Sequence, residues 1–220
     1  LVLNPPDIVK WNCDKHYLQD IEKAGMNVLP TTFLEKGSTF DPSVHFSAFN
    51  TDQLIVKPCV SGASRNTFMV RGNDNDLTAT INELLKQEAM MVQPFMPEVM
   101  DEGEWSLLFF NRKFSHSLLK TPVNNDFRSQ PQFGANVLGK LPPERVLVDA
   151  SRYVDEFAKG CLYARVDGLI INGVFHLMEL ELIDPVLFLD TYKPGYEHYY
   201  EALKELLTPH PMPSPASYIS

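Results

Sequence analysis

The chain is poor in cysteine, short of positive charge and without a long apolar run. Its three cysteines, Cys13, Cys59 and Cys161, stand far apart among 220 residues. They make no CxxC pair and no disulfide framework, which excludes a stapled secreted scaffold and fits a reducing cytoplasm. No stretch approaches the ~20 apolar residues that span a bilayer, so no membrane partner is expected. No signal peptide is visible. Lysine and arginine number 19 against 28 aspartates and glutamates, a formal charge of −9. A nucleic-acid surface would want a basic patch, so nucleic acid is excluded as a partner. No Ser-His-Asp or Cys-His signature of nucleophilic catalysis stands out. What remains is an ordinary globular composition, 44% hydrophobic and 21% charged, long enough for one large domain or two small ones. If so acidic a chain binds an anion, it must use a few local cations, helix N-termini and bound metal.

Its most informative stretch is Leu162–Pro185, LYARVDGLIINGVFHLMELELIDP. Arg165 and Asp167 share one strand, and Glu179 and Glu181 lie one residue apart on the next. Buried unpaired carboxylates cost several kcal/mol, so a cation should face them. Hard divalent metals with oxygen ligands are the usual answer, Mg²⁺ touching a phosphate above all. Asn172-Gly173 is a hairpin signal. A two-residue loop would pair Asp167 with Met178 and turn it away from Glu179. A three-residue loop, or a bulge at Gly173, sets Asp167 opposite Glu179 and Arg165 opposite Glu181. Only the second register gathers the carboxylates on one face, and it is the one expected.

Elsewhere the pattern gives a helix over Asp14–Ala24, capped by Asn12 or Asp14 and stopped by Gly25. A strand at Leu54–Lys57 leads into the small-residue loop Ser61-Gly62-Ala63-Ser64 and a strand at Thr67–Arg71. A helix over Asp76–Glu88 and a strand at Met90–Gln93 follow. Trp105–Phe110 and Phe114–Lys120 form a hairpin across Asn111-Arg112-Lys113. Thr121–Gly139 reads as a long loop, Pro142–Lys159 and Tyr196–Leu207 as helices, and the Pro-rich tail 208–220 as disordered. His116 alternates with Phe114 and Leu118 and reads as a packed strand residue rather than an acid/base. The order is α+β with mostly antiparallel sheets.

These landmarks, in this order, resemble the ATP-grasp superfamily, in particular its glutathione-synthetase-like carboxylate–amine ligases. The resemblance implies two α+β subdomains, with antiparallel sheets, that clamp ATP between them. Residues 1–30 would be a linker and helix, 31–94 the small lid and 95–207 the catalytic subdomain. A further N-terminal α/β domain, usual in the family, is expected to be missing here. Lys15 and Lys57 match phosphate-binding lysines, and Ser61, Gly62, Ala63 and Ser64 the phosphate-covering loop. Gln93, Pro94 and Phe95 match the hinge at the adenine edge. Glu104 resembles the acid that accepts from the ribose, with Glu98, Asp101 or Glu102 as alternatives. Lys120 and Arg128 match basic residues that meet the γ-phosphate or the acyl phosphate, Arg165 matches an arginine that steadies the carboxylate or the tetrahedral intermediate, and Gln130 and Gln132 could contact substrate. Asp167, Glu179 and Glu181 match the ligands of Mg²⁺ or Mn²⁺, although relatives often carry asparagine where Glu181 stands. The implied partners are a small-molecule carboxylate and an amine, with a homodimer as a possible assembly. Two other readings stand beside this one: an ATP-binding module without ligase activity, and a cyclo-ligase acting on an amino-acid derivative.

Overall fold

The computed structural model describes residues 3–62, 64–72, 74–122 and 134–208. Two antiparallel sheets organise them. The smaller contains β1 (Thr32–Leu34), β2 (Gln53–Pro58), β3 (Phe68–Arg71) and β4 (Met90–Pro94), in the order β1-β4-β2-β3. The larger contains β5 (Glu104–Phe110), β6 (Lys113–Thr121), β7 (Asn136–Gly139), β8 (Tyr163–Ile171) and β9 (Val174–Glu181), in the order β7-β6-β5-β8-β9. The architecture is α+β, as the sequence pattern implied.

Each sheet is backed by helices that cover one apolar face. On the small sheet, α3 (Pro42–Phe49) and α4 (Asn75–Leu85) pack over Leu54, Val56, Val70 and Val92. Both helices start on an aspartate cap: Asp41 accepts from Ser43 N at 2.9 Å, and Asp74 accepts from Leu77 N at 2.9 Å. Such caps satisfy donors that the first helical turn leaves open. The large sheet is backed by α2 (Tyr17–Lys23) and α6 (Glu144–Phe157), whose Val146, Ala150, Tyr153 and Val154 recur at helical spacing and meet Trp105, Leu107, Phe109 and Val166. A short α5 (Glu98–Asp101) joins the two sheets. The C-terminal α7 (Pro194–Leu207) packs beyond Phe110, with Tyr199 edge-on to that ring at 5.3 Å.

Strand alternation has a consequence for the other face of the large sheet. Because Trp105, Leu107 and Phe109 turn to the helices, Glu104 and Ser106 must turn away from them. The ladder sets Glu104 opposite Lys120, Ser106 opposite Asp167, Asp167 opposite Glu179, and Arg165 opposite Glu181. One face of four adjacent strands therefore collects the charged residues.

The carboxylate register is the expected one, but its cause is different. The Asn172-Gly173 loop has two residues, both at positive φ, and pairs Ile171 with Val174. The compensating bulge lies between Asp167 and Gly168, where Met178 is the extra residue. A Cβ on Gly168 would come within 2.4 Å of His176 O and 2.5 Å of the Phe175 ring, so only glycine fits the bulge.

Other expectations need correcting. A helix that the pattern did not give, α1 (Pro6–Asn12), precedes α2. Asn12 caps nothing: its amide donates to Leu180 O at 2.7 Å and accepts from Leu182 N at 3.0 Å, clamping the outer side of β9. Asp14 does not cap α2 either, since the N-cap is His16. The hairpin turn is Asn111-Arg112 alone, with Lys113 already in β6. Within the expected long loop, 136–139 pairs with β6 as β7. The short β1 and the weakly amphipathic α3 were also unforeseen. No described helix is long and apolar enough to cross a membrane.

Candidate active site

A cavity of about 520 Å³ opens between the two sheets. Ile55, Lys57, Gln93 and Pro94 line it from the small sheet. Glu104, Lys120, Arg165, Asp167, Glu179 and Glu181 line it from the large one. Lys15, Ser61, Gly62, Ser64 and Phe95 complete the expected set at its rim. Of the four acids considered beside the hinge, Glu104 alone lines the cavity; Asp101 and Glu102 are exposed at the surface. Arg128, Gln130, Gln132 and Ala63 lie outside the described residues.

The large-sheet side is a closed ionic network. Asp167, 3% exposed, accepts from both Arg165 Nε and Nη2, the latter at 2.9 Å, and from the Ser106 hydroxyl. Lys120 Nζ is 2.8 Å from Glu104 and 3.6 Å from Asp167. Arg165 also reaches Glu181 and donates to Val186 O at 3.2 Å. Burial alone would lower the Lys120 ammonium, but Asp167 and Glu104 outweigh it and hold it above its ordinary value. Burial likewise pushes Asp167 up, and Arg165 and Lys120 overcome this to keep it ionised.

Two groups in the cavity are not so well matched. Burial, together with Asp167 and Glu179, pushes the Glu181 carboxyl up to about 8. Three acids share this face, one buried and two partly exposed. Their chemistry suits Mg²⁺ or Mn²⁺, which take carboxylate oxygens. In the described conformation, though, the oxygens of Asp167, Glu179 and Glu181 are not all within 4.8 Å of one another; each carboxylate is held by a protein cation instead. On the opposite wall, Lys57 has no hydrogen bond or ion pair among the described residues. Burial lowers its pKa despite the pull of Glu179.

Lys15 bridges the two walls. Its ammonium donates to Ser61 O at 2.8 Å and meets Glu179 at 3.1 Å, so one cation holds the start of the loop against the carboxylates. At the hinge, Gln93 is buried and donates to Thr31 Oγ1 at 2.9 Å. The Phe95 N–H donates to Gln53 O at 2.9 Å, and Phe95 lines the cavity. Leu29, Leu169, Met178 and Val99 make the apolar wall nearby.

Two contributors escaped the sequence reading. Ser106 was legible in principle, because in Glu104-Trp105-Ser106 it alternates onto the face of Glu104. Phe188 was not. It adopts φ +48, a left-handed conformation that a bulky side chain rarely takes, and its ring lies 5.9 Å from Lys120 Nζ and 5.8 Å from the Arg165 guanidinium.

Residues 27–180 match the ATP-grasp domain of prokaryotic glutathione synthetase. The chain belongs to this family. It is thus an ATP-grasp protein of the ATP-dependent ligase type, and its two sheets are the jaws of that fold. It is similar to the cycloserine biosynthesis protein DcsG of Streptomyces lavendulae, 25% identical over 94% of this chain and 74% of that protein. The crystal structure of D-cycloserine synthetase DcsG superposes with a TM-score of 0.81 at 24% identity, over 94% of this chain and 74% of the other. A D-alanine–D-alanine ligase from Bacillus anthracis, complexed with ATP, superposes at 0.66 and 17% identity, over 89% of this chain and 65% of the ligase.

Proposed function

We propose that this ATP-grasp protein joins a carboxylate to an amine at the expense of ATP, through an acyl phosphate. The observation that carries the reading is the cavity's asymmetry. A lysine with no hydrogen bond or ion pair among the described residues stands on one jaw, and three carboxylates with two buried cations stand on the other. Lys57 and Lys15 would hold the phosphates, with Ser61–Ser64 covering them, and residues 31–94 would act as the lid. Asp167, Glu179 and Glu181 would hold Mg²⁺ or Mn²⁺, which supplies charge neutralisation on the β- and γ-phosphates when bound. A substrate carboxylate oxygen attacks the γ-phosphorus and ADP leaves. The amine then attacks the acyl carbon and phosphate leaves. Lys120 and Arg165, which line the cavity, would steady the negative charge that builds on the acyl oxygens, and Arg128 is assigned the same duty by resemblance.

The test is nucleotide titration with and without Mg²⁺, on this chain and on Glu179→Ala, followed by an ADP-release screen over carboxylate and amine pairs. Binding that Mg²⁺ tightens in the parent and not in the variant supports the reading. Tight binding with no turnover on any pair favours an ATP-binding module.

A narrower reading has one observation in its favour. The similarity to DcsG runs through 94% of the chain, and that protein acts in cycloserine biosynthesis. Intramolecular closure would need a single substrate bearing both carboxylate and amine equivalents. ADP release with one such compound, and no second acceptor, distinguishes it from intermolecular ligation.

A further inference from the structure

We propose that Asn12 and Tyr17 are positioning residues for the carboxylate strand. They hold the β9 backbone on both sides of Glu181 and so aim Glu179 and Glu181 at the cavity. What the two carboxylates do there rests on the ligase reading, which this assignment deepens.

β9 is the last strand of the large sheet, so no full strand pairs with its outer side among the described residues. Such an edge presents a row of N–H and C=O groups, and buried ones need partners. Residues 4–29 supply them one at a time. Leu177 N donates to Asn27 O at 3.0 Å, and Leu177 O accepts from Leu29 N at 3.0 Å. Leu180 N donates to the Tyr17 hydroxyl at 2.9 Å, and Leu180 O accepts from Asn12 Nδ2 at 2.7 Å. Leu182 N donates to Asn12 Oδ1 at 3.0 Å, and Leu182 O accepts from Asn4 Nδ2 at 2.7 Å. The outward groups step from Leu177 to Leu180 because Met178 is the extra residue of the bulge. From Leu180 to Leu182 they follow the ordinary strand period.

The same period turns the edge into an aiming device. Leu180 and Leu182 are buried in the core beneath the helices, so Glu179 and Glu181 project from the opposite face. Glu181 lies between two pinned residues, and Glu179 directly precedes one of them. A single asparagine can pin both because its side chain carries a donor and an acceptor, and the carbonyl and N–H it meets fix which end is which. Asn12 ends α1 and Tyr17 opens α2; Lys15, in the turn between them, meets Glu179 at 3.1 Å. The corner Asn12-x-x-Lys15-x-Tyr17 therefore holds both the backbone of β9 and one of its carboxylates. Asn12 and Tyr17 are 6% and 3% exposed, so their bonds are sheltered from water. Burial first and Glu179 next hold the Tyr17 phenol well above its ordinary value, against the pull of the Leu180 N–H, so the hydroxyl is neutral.

A double-mutant cycle on the nucleotide-free full chain tests the aim. Tyr17→Phe removes the acceptor of Leu180 N and keeps the ring, while Glu181→Gln removes the inward charge. The two side chains share no hydrogen bond or ion pair among the described residues. A merely structural Tyr17 therefore predicts additive changes in chemical denaturation. Positioning predicts a departure from additivity of about fivefold or more in the unfolding equilibrium constant. Additive changes overturn the proposal. ADP titration with and without Mg²⁺ gives the second readout. Tyr17→Phe should cut the Mg²⁺ enhancement of ADP affinity about 10-fold, the usual effect of losing a group that orients a metal ligand. Ala202→Gly, which weakens α7 away from β9, should lower stability and keep the enhancement. An enhancement that Tyr17→Phe keeps, or that Ala202→Gly loses equally, overturns the proposal. Should Tyr17→Phe fail to fold, Asn12→Ala takes its place in both measurements under the same criteria. A parent with no Mg²⁺ enhancement strikes the ligase reading alone; the cycle, which uses no nucleotide, then decides whether Tyr17 aims Glu181.

Discussion

The two sheets meet the same cavity with opposite electrostatic strategies. On the large sheet every charge named in the site has a partner: Arg165 with Asp167 and Glu181, Lys120 with Glu104 and Asp167, Glu179 with Lys15. On the small sheet Lys57 faces the cavity with no direct partner among the described residues, and its ammonium is destabilised by burial. The large sheet is thus assembled before any ligand arrives, while the small sheet carries an unmet demand for an anion. A buried pair is costly to halve, whereas a buried lone charge is costly to keep. Substitutions on the two sheets should therefore move stability in opposite directions.

Asp167→Asn is the harshest way to break the comparison. It leaves Arg165 and Lys120 buried with one anion fewer, and the expected loss is about 3–5 kcal/mol. Chemical denaturation of the nucleotide-free protein measures it. A loss under ~1 kcal/mol would mean that Glu181 and Glu104 absorb both cations, and that the network is not closed around Asp167. Gly168→Ala follows. Its methyl would collide with His176 O and the Phe175 ring, so the bulge must shift, at an expected cost of about 2–4 kcal/mol. If the strand slips to an unbulged pairing, Asp167 turns away from Glu179 and Mg²⁺-dependent nucleotide binding goes with it. Retained stability with lost Mg²⁺ dependence would be the clearest sign that the bulge serves the site rather than the fold.

These residues also show what the sequence made legible. Alternation put Arg165 with Asp167 on one face of their strand and Glu179 with Glu181 on one face of theirs, because strand period is fixed at two; bringing both pairs to the same face took the register as well. It could not locate the bulge: whether a two-residue turn plus Gly168, or a longer turn, restores register depends on how Phe175 and His176 pack. Gln93 and Pro94 were named as hinge residues through resemblance and line the cavity; the hydrogen bond from the Phe95 N–H to Gln53 O is one that no local pattern reveals. Asn12 looked like a cap because caps are what asparagines before helices usually are. Its true partners, Leu180 and Leu182, lie some 170 residues away in sequence. Phe188 left no trace, since its left-handed backbone follows from a loop held by Arg165, through Val186 O, and by His116, through Leu187 O.

Lys57→Met tests the small sheet's side of the comparison. Removing an ammonium that desolvation disfavours, and that has no partner among the described residues, should raise the nucleotide-free Tm by about 2–4 °C, corresponding to roughly 1 kcal/mol. The same change should weaken nucleotide binding about 10–100-fold, the worth of a charge-assisted hydrogen bond to phosphate. The sign with pH follows. A lysine whose folded pKa is depressed from 10.5 penalises the folded state while charged, and the penalty lifts as pH rises from the folded value toward 10.5. The parent should thus close the gap to Lys57→Met as the solution is made alkaline. A destabilised Lys57→Met would show that the lysine's stem or an unseen anion was holding it.

The smallest effects come from two histidines, one per sheet. His45 on α3 and His116 on β6 are both pulled below 6.5, chiefly by burial; Asp41 opposes this at His45, and Leu187 O opposes it at His116. A depressed folded pKa means that each supports stability above pH 6.5 and loses that support as pH falls through the folded value. Both His45→Gln and His116→Gln should therefore flatten the decline of Tm between about pH 7 and pH 5. Function should separate them. The His116 ring donates Nε2–H to Leu187 O at 3.0 Å, which leaves Nδ1 to accept from Ser115; Ser115 then accepts from His198 Nδ1 at 2.9 Å. That chain fixes the loop carrying Phe188 over Lys120 and Arg165, so His116→Gln should alter kcat/KM for the acceptor as well as the Tm slope. His45 packs against Phe40 and Phe49, away from the cavity, and His45→Gln should alter the slope alone. Equal kinetic effects from the two variants would mean that Phe188 is not held through His116, and that the large sheet's network ends at Arg165.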